Sequence, residues 1–269
     1  MSGETFSELE REGWQRTARE YDEFTLPATR QAFAPLLDSV GELRGRRVLE
    51  VASGTGHLAA DAAARGAEVV GVDVAPNMVE LARRRVPGAR FHEGPAEALP
   101  LPDAQCDVAL CCFGLLHFAE PDRAFAEMAR VLKPGGTLAF TVWYGPDQGG
   151  EFLGLVFKAY QSHADMDVDL PPAPPMFALA DRGIRDPMLK AAGFVAVRDR
   201  EVPIVWPIRG PETVMEFVLK GSVRSRMIYD RQRPQAQQRI CDAIVSATTP
   251  YLKAGGIPSP AVLVTATKA

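Results

Sequence analysis

The chain has no apolar run long enough to cross a bilayer; the longest, from Val108 to Leu116, stops far short of a membrane span. It also lacks a basic excess. Thirty Lys and Arg face 34 Asp and Glu, for a formal net charge of -4. No Lys/Arg run forms a phosphate-tracking surface, so neither nucleic acid nor membrane is an expected partner. Cysteine is scarce: Cys106, Cys111, Cys112 and Cys241 are all there is, and three of them cluster in or beside the apolar run. They read as small buried hydrophobes rather than a disulfide framework or a metal site, which favours a reducing cytoplasm. The first residues, MSGETFSELERE, hold no apolar core of a secretory signal. No internal repeat occurs. What remains is ordinary globular material: 269 residues, 46% of them apolar and 24% charged.

The pattern of the chain changes several times. Residues 5 to 24 carry Leu9, Trp14, Ala18 and Tyr21 at roughly helical spacing, and Ser7 with Glu10 matches a capping box. A second short helix holds Phe33, Leu36, Leu37 and Val40, with Gly41 near its end. Short apolar strands are then expected at 46–51, 67–73, 89–92, 107–112 and 137–143, with helices at 58–65, 78–85 and 123–132 between them. Such alternation predicts a doubly wound, mainly parallel sheet. Residues 145–182, with Gly149-Gly150 and the stretch LPPAPP, read as an irregular connection or lid. A helix at 186–192, a strand at 194–206, a largely helical stretch at 211–254 broken near Pro234, and a last strand at 261–267 follow. The expected organisation is an N-terminal helical lid over residues 1–43 and an α/β domain over 44–269 with lid insertions at 145–182 and 211–254.

The segment from Val48 to Ala59, VLEVASGTGHLA, puts a glycine-rich turn between a strand and a helix. Gly54 and Gly56 permit close backbone approach to a ligand, and the helix N-terminus favours a negatively charged group. Asp73 ends the next strand, where a carboxylate can accept both hydroxyl hydrogens of a ribose. The run from Gly54 to Ala59 also fits a dinucleotide fingerprint, so a nicotinamide-dependent oxidoreductase is a competing reading. Glu50 tilts the choice against it. A carboxylate four residues before Gly54 repels a pyrophosphate but suits the ammonium group of a methionine moiety. A Tyr-x-x-x-Lys pair, used by one large group of reductases, is missing as well.

Five stretches in order carry a resemblance. They are VLEVASGTG; VVGVDVAPNMVELAR (Val69–Arg83); GPAEALPLP (Gly94–Pro102); DVALCCFGLLHF (Asp107–Phe118); and RVLKPGGTL (Arg130–Leu138). Together they resemble the class I S-adenosylmethionine-dependent methyltransferases, in particular the ubiquinone/menaquinone-biosynthesis group. The resemblance implies a Rossmann-like seven-stranded sheet with helical lid segments and S-adenosyl-L-methionine as cofactor. It implies that Asp73 holds the ribose and Met78 packs on the adenine. Ala96 and Glu97 lie in the loop at the adenine edge, where Pro95 replaces the family's usual Asp. Ala52 stands where the family usually has Gly. Ser53, Val74 and Cys112 adjoin these positions and complete the expected cofactor set. AREYD, Ala18–Asp22, resembles the helix that caps the cofactor, with Tyr21 near its methionine end.

Methyl transfer from a sulfonium needs alignment and exclusion of water, and a base only where the acceptor must lose a proton. His117, just after the fourth strand, is the candidate base and a candidate wall of the acceptor pocket; His57, His92 and His163 are weaker candidates. Aromatic residues gather in the segments expected to form a roof, and Phe24, Trp143 and Tyr229 are the candidates for touching substrate. The expected acceptor is a small, apolar or aromatic metabolite. Apart from the reductase, the alternative is a protein of this fold that binds the cofactor without transferring its methyl group.

Overall fold

In the computed structural model, residues 5–269 are described, and they form two compact units. One unit comprises Thr29–Val142, Ala173–Val202 and Val262–Ala269. The other gathers the chain up to Ala28 with Trp143–Pro172 and Pro203–Ala261. Of the N-terminal segment, the helix α2 below lies with the sheet rather than with the residues before it.

The helices, in chain order, are α1 (Phe6–Thr17), α2 (Phe33–Ser39), α3 (His57–Ala64), α4 (Pro76–Arg85), α5 (Pro121–Val131), α6 (Glu151–His163), α7 (Arg182–Ala191), α8 (Val223–Asp230) and α9 (Pro234–Thr248), with shorter turns between them. The strands are β1 (Arg47–Val51), β2 (Glu68–Asp73), β3 (Arg90–Glu93), β4 (Cys106–Cys112), β5 (Leu132–Trp143), β6 (Phe194–Val202), β7 (Val205–Pro207), β8 (Gly256–Pro258) and β9 (Ala261–Lys268). The seven-stranded sheet runs β3-β2-β1-β4-β5-β9-β6, and β3·β2, β2·β1, β1·β4 and β4·β5 are parallel. Its central strands are buried on both faces: Val48, Leu49, Val108, Leu110, Leu138 and Phe140 have no exposure. This is the Rossmann-like sheet expected from the alternation. The strand order reverses between β1 and β4, so the crevice of a doubly wound sheet opens at their carboxyl ends.

Several local expectations are corrected. The capping box is Thr5 with Glu8, not Ser7 with Glu10: the Glu8 amide donates to Thr5 Oγ1 at 3.3 Å and the Thr5 amide to Glu8 Oε2 at 2.7 Å. The helix expected over residues 5 to 24 is interrupted: it breaks after Thr17, and a separate helical turn spans Tyr21–Phe24. The connection at 145–182 contains a full helix, α6, whose buried Phe152, Val156, Ala159 and Tyr160 follow helical spacing. Gly149, at φ 88°, marks the turn that precedes it. The strand expected at 194–206 is two strands in two sheets, since Pro203 has no N–H to continue a ladder; β7 pairs antiparallel with β8, which sequence reasoning did not anticipate.

In the smaller unit an aromatic stack forms the core. The Phe152 and Trp206 rings stack at 3.9 Å and 1°, with Phe217 edge-on to Trp206 at 4.6 Å and Trp143 at 5.7 Å.

Candidate cofactor site

β1 ends in a turn whose geometry is unusual from its first residue. Ala52 lies in the left-handed region at φ 56°, followed by Gly54 at 51° and Gly56 at 81°. Across the crevice, the residue after β4, Phe113, is also left-handed at φ 57°. Two non-glycine residues in this region flank one strand-end crevice, which marks stored backbone strain held by its surroundings. The surroundings are visible. The Phe113 amide donates to the Thr141 hydroxyl at 3.2 Å, and a Cβ on Gly114 would sit 2.6 Å from that of Ala52. Phe113 lies in the stretch Asp107–Phe118 without being singled out there, and the fully buried Thr141 carried no signal in the sequence. Replacing Ala52 by Gly relieves left-handed strain of about 1–2 kcal/mol against a larger unfolded-state entropy of about 0.4–1 kcal/mol. Ala52→Gly is therefore expected to raise the urea-unfolding stability by roughly 0.5–1 kcal/mol; a lower stability would show that the methyl group's packing outweighs the strain.

The two glycines do different jobs. Around Gly54 a Cβ would meet nothing within 4 Å, so the space above it is open. At Gly56 a Cβ would lie 2.9 Å from both Cα and Cβ of Ala82 on α4, so this glycine is required where α3 and α4 cross closely. Arg85, at the end of α4, donates to the Thr55 carbonyl and fixes the turn between them.

Asp73, 7% exposed at the end of β2, clasps the loop: Oδ2 accepts from the Gly54 amide at 2.7 Å and Oδ1 from the Ala75 amide at 3.0 Å. Each carboxylate oxygen keeps acceptor capacity for a further hydroxyl. Burial pushes the Asp73 carboxyl up, opposed by those amides and by His117. His117 lies on a single turn after β4, half-buried, and is thus an electrostatic neighbour of Asp73. Glu50, 4% exposed, is pushed well above the usual carboxylate range by burial first and by Asp73 second. Its Oε2 and the hydroxyl of Ser53, also 4% exposed, are buried without a hydrogen-bond partner. Buried polar groups are rarely left so, and two at one strand end point to a ligand that supplies the partners.

The remaining expected residues fall as follows. Met78 is buried on α4, Val74 half-buried beside Asp73, and Ala96 buried in the loop after β3. Glu97 accepts from the Glu120 amide at 3.3 Å. Cys112 is half-buried, accepts from the Thr141 hydroxyl at 3.4 Å, and burial pushes its thiol up, which keeps it protonated and inert. Tyr21, Phe24, Trp143 and Tyr229 belong to the smaller unit. There Tyr21 packs edge-on against Trp14 at 6.0 Å, the Lys220 ammonium sits 4.7 Å from the Phe24 ring, Trp143 joins the aromatic stack, and Tyr229 is half-buried. A cavity of about 500 Å³ in that unit is bordered by α1 and α8, and none of these four lines it.

Residues 49–140 match the family model described as a methyltransferase domain. Over 125 residues the chain is 44% identical to the demethylmenaquinone methyltransferase of Deinococcus radiodurans, a stretch that covers 44% of this chain and 51% of that one. Over 130 residues it is 41% identical to the Thermus thermophilus enzyme of the same name, covering 46% and 58%. The chain thus matches just over half the length of these curated relatives. Among solved structures, the Bacillus subtilis YcgJ protein superposes with a TM-score of 0.59 at 21% identity, over 89% of this chain and 98% of that one. The cyclase SpnF superposes at 0.60 and 22%, over 98% and 97%. The solved structures share the fold, the family match covers residues 49–140, and the sequence likeness around that stretch is to demethylmenaquinone methyltransferases.

Proposed function

We propose that this protein is an S-adenosylmethionine-dependent methyltransferase acting on a small, largely apolar or aromatic metabolite, with a quinone-type ring as the first acceptor to test. The observation that carries the reading is the pair of buried, unpartnered polar atoms, Glu50 Oε2 and Ser53 Oγ, beside the open space over Gly54. The donor set fits the cofactor. Glu50 pairs with its ammonium group, Asp73 accepts from its ribose hydroxyls, the Gly54 turn gives room for the chain between them, and Met78, Ala96 and Glu97 serve the adenine. The cofactor's sulfonium supplies an already activated methyl group, so alignment and exclusion of water carry much of the rate. His117, an electrostatic neighbour of Asp73, takes the acceptor's proton where one must leave. The names of the curated relatives support a quinone-type acceptor. All four cysteines are free, and among the described residues no helix is long and apolar enough to cross a membrane; we place the enzyme in the cytoplasm.

The site predicts a coupling to protons. Burial raises Glu50 in the free protein, so the folded state holds that proton more tightly than the unfolded chain does. Its stabilising contribution is therefore full below the unfolded pKa and is lost as the pH rises through the folded value. An ammonium placed beside Glu50 lowers the raised pKa and expels the proton. Titration with S-adenosylhomocysteine in buffers of different ionisation enthalpy should show proton release, and affinity should rise with pH between the ordinary glutamate value and the raised one. Glu50→Gln should abolish the release. Binding of NADH with no response to S-adenosylhomocysteine overturns the cofactor assignment. Tight cofactor binding with no transfer of a labelled methyl group to any quinone-type or phenolic acceptor favours the non-methylating reading, because fold alone does not fix chemistry.

A further inference from the structure

The loop after β3 has little backbone pairing of its own. Pro95, Pro100 and Pro102 donate no N–H, and its internal bonds are Ala98 to the Pro95 carbonyl at 3.2 Å and Leu101 to the Leu99 carbonyl at 2.8 Å. Yet Ala96, Leu99 and Leu101 are buried, so the loop's polar groups need partners elsewhere. Two side chains one turn apart on α5 supply them. Glu127 Oε2 accepts from the Leu99 amide at 2.7 Å. Arg130 donates to the Leu99 carbonyl at 3.1 Å, the Leu101 carbonyl at 2.8 Å and Asp103 Oδ1 at 2.6 Å. The pair is itself locked, with Arg130 Nε to Glu127 Oε1 and Nη2 to Glu127 Oε2, each at 2.7 Å. A planar guanidinium with five donors can serve two carbonyls and two carboxylates at once, which a lysine cannot. Just upstream, the Glu120 amide at the start of the same helix holds Glu97 at 3.3 Å.

We infer that Glu127 and Arg130 are positioning residues for the base end of the cofactor: they hold residues 94–103 in the binding shape before the ligand arrives. This rests on the methyltransferase reading, which places Ala96 and Glu97 against the adenine. Neither residue touches the ligand. Their contribution is preorganisation, because a loop tied only by its own two bonds would have to be ordered on binding. The sequence motif around Arg130 does not signal this role.

The test compares S-adenosylhomocysteine with S-ribosylhomocysteine, the same molecule without its adenine. Arg130→Ala is expected to weaken S-adenosylhomocysteine by about tenfold and S-ribosylhomocysteine by no more than about twofold. In the free variant, amide exchange at Ala98, Leu99 and Leu101 should quicken while β1 and β2 keep their protection. Glu127→Gln retains an oxygen for the Leu99 amide and should show a smaller loss of the same selectivity; it also serves if Arg130→Ala folds poorly. Arg130→Lys should not restore binding. Equal weakening of both ligands makes the pair a general support and overturns the inference, as does unchanged affinity for S-adenosylhomocysteine. A wild-type protein that binds neither ligand sinks the methyltransferase reading, a failure distinct from a variant that binds as well as wild type.

Discussion

Replacing Gly56 by alanine is expected to destabilise the folded protein by about 2–5 kcal/mol. Two independent penalties act there. The backbone is left-handed at φ 81°, which costs an alanine roughly 1–2 kcal/mol. The new Cβ would also lie 2.9 Å from Cα and Cβ of Ala82, backbone-adjacent atoms of α4 that cannot swing away. Overpacking of that kind adds about 1–3 kcal/mol. Gly54→Ala is the control. It has the same handedness at φ 51° but open space around it, so strain of about 1–2 kcal/mol is the whole penalty to the fold. Its larger effect should fall on S-adenosylhomocysteine affinity, because the methyl group occupies ligand space. Urea unfolding and ligand titration of the two variants should therefore give opposite orders of severity. If both lose stability equally and bind alike, the division of labour between the two glycines is wrong.

Asp73→Ala is expected to lose both binding and stability. The carboxylate accepts from the Gly54 and Ala75 amides, and hydrogen bonds to a charged group are worth about 1.5–3 kcal/mol each. Part of that is offset by the desolvation that raises this carboxyl, so a stability loss of roughly 2–4 kcal/mol follows for the variant. Affinity for S-adenosylhomocysteine should drop by a further ~1.5–3 kcal/mol from the ribose contacts. Asp73→Asn keeps one carbonyl oxygen for the Gly54 or Ala75 amide and should recover much of the stability but little of the affinity. A sequence view, with Asp73 simply ending a strand, would leave the fold intact in Asp73→Ala; the clasp on the glycine loop is what changes the expectation. An Asp73→Ala protein with wild-type melting behaviour would show the clasp to be dispensable.

The class of fold and the place of the candidate site were legible because both rest on short-range patterns. Strand and helix alternate from Arg46 to Trp143 in runs of the right length, and the glycine turn, Glu50 and Asp73 sit at fixed positions on the first two strands. Those features need no knowledge of distant neighbours. The aromatic residues show where such reading ends. Trp143 and Phe152 come from one stretch of the chain and Trp206 and Phe217 from another, and composition alone fits either a pocket wall or a core; the structure packs them on one another. Residues 145–182 looked irregular because glycines and prolines at the edges masked the helical spacing of α6.

By itself the sequence determined the parallel sheet, the glycine turn after β1, and the two acidic residues at the carboxyl ends of the strands. Periodicity and local steric rules suffice for these. Only the tertiary structure decided that Gly56 packs against Ala82 while Gly54 faces open space, and that Ala52 and Phe113 are both left-handed across one crevice. It alone showed that Arg130 reaches back to residues 99–103, and that the fully buried Arg185 is held by Asp186 and Asp199 at 2.9 and 2.7 Å. Each depends on which atoms of remote segments meet, and long-range contact, unlike a turn or a strand, leaves no period in a single chain.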